Sequence, residues 1–394
     1  MFFKLVFISF FYSILLSNNT DMTNYTSIQK CEDKIILIGE NRNRNITVKI
    51  NTNSDIHSIE IKKNDNEISL NEPDAKILDH YIYLTYVSYK EDRSFYFNII
   101  KLDLSGNIVW KKRIDNFHNI TCGNMIIDNN SLIIPIEYQS SANKRNQSIL
   151  KLDHDGNILL TQEVIFDKVF NKIKSIVKLN ENRFVVCTFH EDTTDTYSRY
   201  IGFSYLDSNM QMIKKKYYSS KGLEYKSALV VNNDIYYAGR FNYGVENGYS
   251  IAKLDSNLDT LWTKNYYYSD SNYDTRDRCV AIHQYDSFIY ILGADNCRWG
   301  SIGQNLESCS LNLQKFDLNG SLLSINELVS DIPMFGIEFI KIEDFFYIIG
   351  FKDNDPESIN PYEGFLLKIR ENELKSKPKK FVEKKIRGLS IKNS

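Results

Sequence analysis

With 394 residues, 42% hydrophobic and 25% charged, the chain is long enough for two or three ordinary domains or one large repeat domain. Its 17 Gly and 6 Pro argue against low-complexity disorder. A formal net charge of -2 leaves no global field that would draw it to nucleic acid or to an anionic membrane.

At the N-terminus, Lys4 precedes an apolar run over 5–16, and the polar Ser17-Asn18-Asn19 follows. This reads as a secretory signal peptide over 1–19, too short to span a bilayer as a helix. The expected mature protein is secreted or periplasmic, with no membrane insertion after signal removal. The six Cys are then read first as possible disulfides. Cys297 and Cys309 are the closest pair and bracket a polar, Gly-containing segment whose neck they would staple. Cys31, Cys122 and Cys279 each fall early in a repeat, on its first strand, and Cys187 sits inside an apolar strand, so these four read as small buried hydrophobes. No Cys or His spacing matches a zinc site.

From residue 20 to 380 the chain is a series of repeats. With the Asp of a Leu-Asp pair as marker, copies stand at Asn51, Asp103, Asp153, Asp207, Asp255, Asp317 and Arg370, at intervals of 52, 50, 54, 48, 62 and 53 residues. A period near 50 means one supersecondary unit per repeat. In the fifth copy the β-prone runs 227–231, 235–239, 249–254 and 260–264 are separated by Asn, Asp and Gly, which is one four-stranded blade. The fold class expected is all-β, a seven-bladed β-propeller with four antiparallel strands per blade over 20–380, followed by a basic tail over 381–394. The opening of the segment after Leu374 reads as the last blade's outer strand. The Asp-x-x-Gly-Asn signature is expected to turn the third strand into the fourth, with Gly and Asn at positive φ and Asp bonding the turn backbone. Trp110 and Trp262 occupy equivalent fourth-strand sites and are expected to pack between blades.

Propeller geometry places second-to-third-strand and blade-to-blade connections on one face. The long loops expected there are 192–198, 241–248, 266–278, 294–310 and 352–363. The charged run holding Asp270, Asp274 and Arg276 lies beside Tyr267, and Arg298-Trp299 sits in the loop closed by Cys297 and Cys309. Trp and Arg are the side chains most enriched in binding hot spots. These six residues form the expected binding site; no catalytic residue, metal ligand or cofactor is assigned. Asp153-His154-Asp155-Gly156-Asn157 has the look of a calcium loop but lacks the distal Glu, so it reads as another copy of the turn. Of the histidines, His283 lies in a first-strand run and reads as packed.

The repeat text K-L-D-x-x-G-N-x-x-W-x-K, carried by 101–112, 151–157, 253–264 and 315–320, resembles that of exported bacterial β-propeller repeat proteins over nearly the whole mature chain. The resemblance implies a propeller and a binding or surface role. The repeats degenerate in the first, fourth and seventh copies, and no C-terminal sorting domain is expected after the last one.

Function stays open between classes. One reading is a monomeric, non-catalytic module that recognises a glycan or a surface protein through the long-loop face. The other is a carbohydrate-active hydrolase or lyase at the central channel, which needs two carboxylates converging there within about 5–10 Å. Arg240, Arg276, Arg278 and Arg298, in or beside the long loops, would give a sialidase-like site its cationic patch. A purely structural envelope protein would need neither feature.

Overall fold

The computed structural model describes residues 22–374 and 381–383, apart from 53–55, 65–66, 92–93, 115–117, 130, 142–143, 165–169, 192–198, 220–222, 244–245, 269–277, 300–305, 329–331 and 354–361. The signal-peptide segment, 1–19, lies outside the described residues. Seven antiparallel sheets follow one another along the chain and form a seven-bladed β-propeller. Blades 1 to 7 cover 22–61, 67–114, 118–163, 170–219, 223–268, 278–328 and 334–370. Each blade is built in chain order from an inner strand to an outer one; among the described residues blade 7 has three strands. The short strand Phe381–Glu383 pairs with the outer strand of blade 5, Tyr268 opposite Phe381.

Burial follows from stacking blades face to face. The second strand of blade 2, Tyr81–Lys90, is buried at seven consecutive positions because both of its faces meet a neighbouring blade. The outer strand Ile108–Ile114 instead alternates exposed and shielded residues over its last five positions. All four expected runs of the fifth repeat are strands, but each reaches further at its long-loop-face end, as Leu223–Val231, Asp234–Tyr243, Glu246–Leu254 and Thr260–Tyr268. The segment 241–248 is therefore a continued ladder, with Phe241 opposite Gly248 and Tyr243 opposite Glu246. The same correction holds in blade 6, where strands run to Trp299 and restart at Leu306, and in blade 7, to Asp353 and from Tyr362. Asn and Gly in these stretches suggested open loops, yet hairpin extension pairs backbone groups whatever the side chains are.

There is no single core. Seven apolar clusters each join one pair of successive blades, from the one linking blades 1 and 2 through Ile38, Leu84 and Leu102 to the one linking blades 6 and 7 through Leu292, Phe346 and Leu367. The ring is closed by Tyr25, Ile28 and Leu37 of blade 1 against Tyr347, Ile349 and Leu366 of blade 7.

The repeated turn is built as expected in five blades, with one difference. Asp103 Oδ1 accepts hydrogen bonds from Ser105 N and Asn107 N, both at 2.8 Å, and Gly106 N donates to Asp103 O at 3.0 Å. Asp153, Asp207, Asp255 and Asp317 repeat this arrangement. The fourth position alone takes positive φ, as Gly106, Gly156, Met210, Leu258 and Gly320. Asn107 is not left-handed; its Nδ2 donates to Asp103 Oδ2 at 2.9 Å.

The turn also receives the preceding blade. A Cβ on Gly156 would lie 2.7 Å from Cη2 of Trp110, and one on Gly320 would lie 2.5 Å from Cη2 of Trp262. Trp110 and Trp262 thus pack between blades, as their equivalent positions indicated. Where blade 3 offers Leu160 instead of Trp, the turn of blade 4 fills the space with Met210, fully buried in the same cluster. Polar donors converge as well: Lys101 Nζ, Trp110 Nε1 and the Tyr83 hydroxyl of blade 2 all point to the His154 carbonyl of blade 3, at 3.4, 3.2 and 3.5 Å. Blade 7 has no such turn, and Glu371 takes its place. Its carboxylate receives the Tyr290 hydroxyl at 2.7 Å and Lys315 Nζ at 3.1 Å from blade 6, and Lys341 Nζ at 2.8 Å. Burial opposes the charge on Glu371, but these three donors hold its carboxyl down at about 2.

Gly320→Ala is expected to destabilise the protein by about 2–4 kcal/mol, because it combines positive φ with a clash against an indole. Joining Gly320→Met to Trp262→Leu, which copies the Leu160–Met210 pairing, should cost less than the sum of the two single changes in thermal unfolding. A carboxyl held low in the folded chain stabilises it above the ordinary carboxylate range, and that contribution disappears as pH falls from 4.5 to about 2. Glu371→Gln should therefore lose about 2 kcal/mol at neutral pH after screening, a deficit that closes in denaturant titrations repeated toward pH 2.

Candidate functional site

Three of the six sequence-predicted residues fall on described strands of blades 5 and 6. Tyr267 lies in the outer strand of blade 5, between Gly248 and Val382 in the sheet. Arg298 and Trp299 end the second strand of blade 6, opposite Ser308 and Leu306. Asp270, Asp274 and Arg276 lie outside the described residues. The expected staple is present: Cys297 and Cys309 form a disulfide with Cα atoms 4.1 Å apart, across the second and third strands of blade 6. The other four cysteines form no disulfide among the described residues: Cys187 and Cys279 are buried, and Cys31 and Cys122 are half-buried.

The long-loop face carries a cleft that sequence reasoning missed. It lies on blade 1, has a volume of 640 Å³, and is lined by Arg42, Arg44, Glu60, Lys62 and Lys63 together with Asn43, Asn45 and Ile68. A second concavity of 330 Å³ shares Arg42, Asn43 and Glu60 and continues along Thr47, Lys49 and Ser58. The floor is a copy of the Asp turn moved to the opposite face. Asn41 Oδ1 accepts from Asn43 N and Asn45 N, both at 3.0 Å, and Arg44 N donates to Asn41 O at 2.9 Å. Arg44 occupies the position that Gly106 fills elsewhere and has φ +58°, a conformation that L side chains avoid. Its carbonyl accepts from Leu70 N of blade 2 at 3.0 Å, which fixes the turn to the next blade.

The side-chain amides set the cleft's charge. Asn41 Nδ2 and Asn45 Nδ2 both donate to Glu60 Oε1, at 2.6 and 2.9 Å, and hold the Glu60 carboxyl below its ordinary value. Asn45 Oδ1 accepts from Lys63 N at 3.0 Å, so both ends of that amide are structural. Arg42, Arg44, Lys62 and Lys63 are exposed, and among the described residues none of them pairs with a carboxylate. Spacing carries a partial signal here: Asn41-Arg42-Asn43-Arg44-Asn45 matches Asp-x-x-Gly-Asn in its last position and has Asn, with the same capping oxygen, in its first.

A second charged group stands on the inner strands around the propeller axis. His283 of blade 6 and Glu338 of blade 7 pair at 2.7 Å, and Glu338 Oε1 also accepts from Phe339 N at 2.9 Å. His283 is packed edge-on against Phe339, as a first-strand residue should be, but its ring nitrogen is committed to a carboxylate 55 residues away. Burial opposes the charge on Glu338, yet His283 and the Phe339 amide outweigh it and hold the carboxyl low. On blade 2, Asp74 Oδ2 accepts from Met125 N of blade 3 at 2.8 Å. Burial pushes the Asp74 carboxyl up, Lys76 and two backbone amides pull against that, and the charge of Glu338 adds to the rise. Two carboxyls within electrostatic reach of one another are thus driven in opposite directions, the pattern that separates an acid from a base.

Among the described residues no group of three or more His, Cys, Asp or Glu side chains is placed to hold a metal ion, and no helix is long and apolar enough to cross a membrane. Neither a family model nor a curated protein matches the sequence. Solved structures do match the fold. The polysaccharide lyase Uly1 superimposes with a TM-score of 0.54 at 10% identity, over 88% of this chain and 90% of that one. An acylaminoacyl peptidase from Pyrococcus horikoshii gives 0.48 at 13% identity, over 90% of this chain and 54% of that one. A neuraminidase-like protein from a little yellow-shouldered bat isolate gives 0.45 at 9%, over 81% and 94%. At such identities the likeness to the lyase concerns architecture alone, and the chain is a β-propeller.

Proposed function

We propose that the protein is an exported, non-catalytic binding module that recognises a glycan through the long-loop face of the propeller. The observation that carries this reading is the blade 1 cleft. It opens where propeller connections are long, and its walls are amides, cations and one carboxylate held by hydrogen bonds. A carboxylate fixed before the ligand arrives, as Glu60 is, suits a polar ligand because ordering it costs nothing further on binding. The opposite face offers no comparable freedom, since its Asp turns are engaged with neighbouring blades. Tyr267, Arg298 and Trp299, on strands of blades 5 and 6, belong to this proposal, together with Asp270, Asp274 and Arg276 of the sequence between those blades. A disulfide in blade 6 suits an oxidising compartment.

A second reading, a carbohydrate-active hydrolase or lyase at the channel, has one specific observation in its favour: the oppositely shifted Asp74 and Glu338. Active sites keep such groups at a cost in stability.

The two readings separate experimentally. Purified protein is expected to bind selected glycans on a mixed glycan and protein array without altering them, and the Trp299→Ala/Tyr267→Ala variant shows whether the blade 5 and 6 rim takes part. Capture of proteins only, or cleavage of the bound glycan, would reject the reading. For the channel, a carboxyl raised in the folded state makes stability fall as pH rises through the carboxylate range. Asp74→Asn keeps an oxygen for the Met125 amide and should raise the unfolding midpoint at neutral pH, with the gain gone below about pH 4. A lowered midpoint would make Asp74 a structural residue and remove the main support for channel chemistry.

A further inference from the structure

From the charge and shape of the blade 1 cleft, we infer that the glycan is acidic: Arg44, Arg42 and Lys62 take the sulfate or carboxylate groups of an anionic polysaccharide while Glu60 accepts its hydroxyls. This rests on the glycan-binding reading above and assigns the substrate class and the residues.

The local charge is the first argument. Four exposed cations and one carboxylate line the 640 Å³ cleft, in a protein whose formal net charge is -2. The excess is a local feature: Glu60 offsets one of the four charges, being within electrostatic reach of Lys62, and the remaining cations repel one another until an anion enters. The second argument is conformational. Arg44 is held left-handed at φ +58° by the Asn41 cap and by Leu70 N on its carbonyl. The equivalent positions of blades 2, 3 and 6 use Gly, and those of blades 4 and 5 bury Met210 and Leu258 completely. Arg44 has neither justification. It is exposed, like the left-handed turn residues Glu32, His80, Asp286 and Glu343, and the turn fixes the backbone from which its guanidinium projects. A guanidinium presents planar, paired donors that match sulfate and carboxylate oxygens.

The composition also selects among polyanions. The cleft lining contains no aromatic ring on which a base could stack, and its single apolar member is Ile68. Glu60 stands among the cations with Oε1 occupied by two amides, and Oε2 accepts no hydrogen bond among the described residues. A carboxylate there repels a continuous polyphosphate but accepts sugar hydroxyls. The volume is that of a small-ligand site, and the 330 Å³ extension past Thr47 and Ser58 lets a chain-like ligand continue.

The test uses the full chain and calorimetric titration with three saccharide probes, heparin-derived oligosaccharides, oligogalacturonate and a neutral oligosaccharide of similar length, and with a single-stranded oligonucleotide as a fourth. Sulfated or carboxylated probes are expected to bind, the neutral one not, and added salt should weaken binding. Arg44→Gly is the informative variant, because Gly adopts positive φ without the penalty an L side chain meets and the turn should keep or gain stability. Combined with Lys62→Gln it should weaken the acidic probe about 10–100-fold with the unfolding midpoint unchanged or raised. Acidic-probe binding that ignores Arg44→Gly/Lys62→Gln, or a preference for the neutral probe, overturns this assignment and leaves the glycan-binding reading standing. Equal affinity for a single-stranded oligonucleotide of matched charge also overturns it. No binding to any of the three saccharides, or on the glycan array, would overturn both.

Discussion

The structure depends on one contact made repeatedly: the outer part of one blade closing on the turn of the next. A turn capped by its own Asp leaves a carbonyl and a shallow seat facing backwards, and the preceding blade supplies donors and a side chain to fill both. Tyr83, Lys101 and Trp110 converge in this way on the carbonyl of His154. Farther round the ring the Tyr236 hydroxyl reaches Leu318 O at 3.0 Å, the Tyr266 hydroxyl reaches Gly320 O at 2.7 Å, and the Tyr218 hydroxyl bonds Leu258 O. A blade has no independent core, since each apolar cluster is shared with a neighbour, so the turn contact and the shared cluster together set blade spacing. Side-chain size is matched across the contact: an indole meets glycine, and a leucine meets methionine.

That coupling is why so much of the architecture was legible in the sequence. The turn needs Asp at its first position and a residue able to take positive φ at its fourth, so a structural requirement is written as a short motif. Fifty-residue spacing then follows from four strands and their connections. The role of Trp110 and Trp262 was readable because they hold one position in two repeats. The strand extensions above residues 241, 294 and 352 were not readable, since Asn and Gly favour turns locally while the pairing that overrides them depends on the facing strand. His283 with Glu338, and Asp74 with the Met125 amide, join residues more than fifty positions apart on inner strands. Only the closed ring brings them together. The blade 1 turn was hidden for a different reason: Asn41 and Arg44 stand where the motif has Asp and Gly, so only the spacing and the final Asn45 are left to signal it, and the hydrogen bonds of Asn41 reveal it.

The two faces of the ring therefore carry different obligations. On one, every capped turn is already bound to a neighbour, and changes there are felt by two blades. On the other, hairpins of different length rise from each blade, and polar side chains can be placed without disturbing blade contacts. The Asn41 turn shows how a module can be reused: the same backbone solution that joins blades on one face becomes, with a cation at its left-handed position, the floor of a cleft on the other. The inner strands form a third environment, enclosed enough to shift carboxyl groups in opposite directions.

The capped turn has a further chemical consequence, for the covalent durability of the chain. Asn319-Gly320 and Asp155-Gly156 are dipeptides prone to spontaneous cyclisation, in which the glycine nitrogen attacks the preceding side-chain carbonyl. In these turns Gly320 N is tied to Asp317 O and Gly156 N to Asp153 O, each at 3.0 Å, and the left-handed glycine is wedged under an indole. The nitrogen must leave that bond, and the turn must open against the neighbouring blade, before a ring can form. A motif selected for joining blades thus shields its own weakest links from deamidation and isomerisation, and ageing at these sites will track ring opening rather than local sequence.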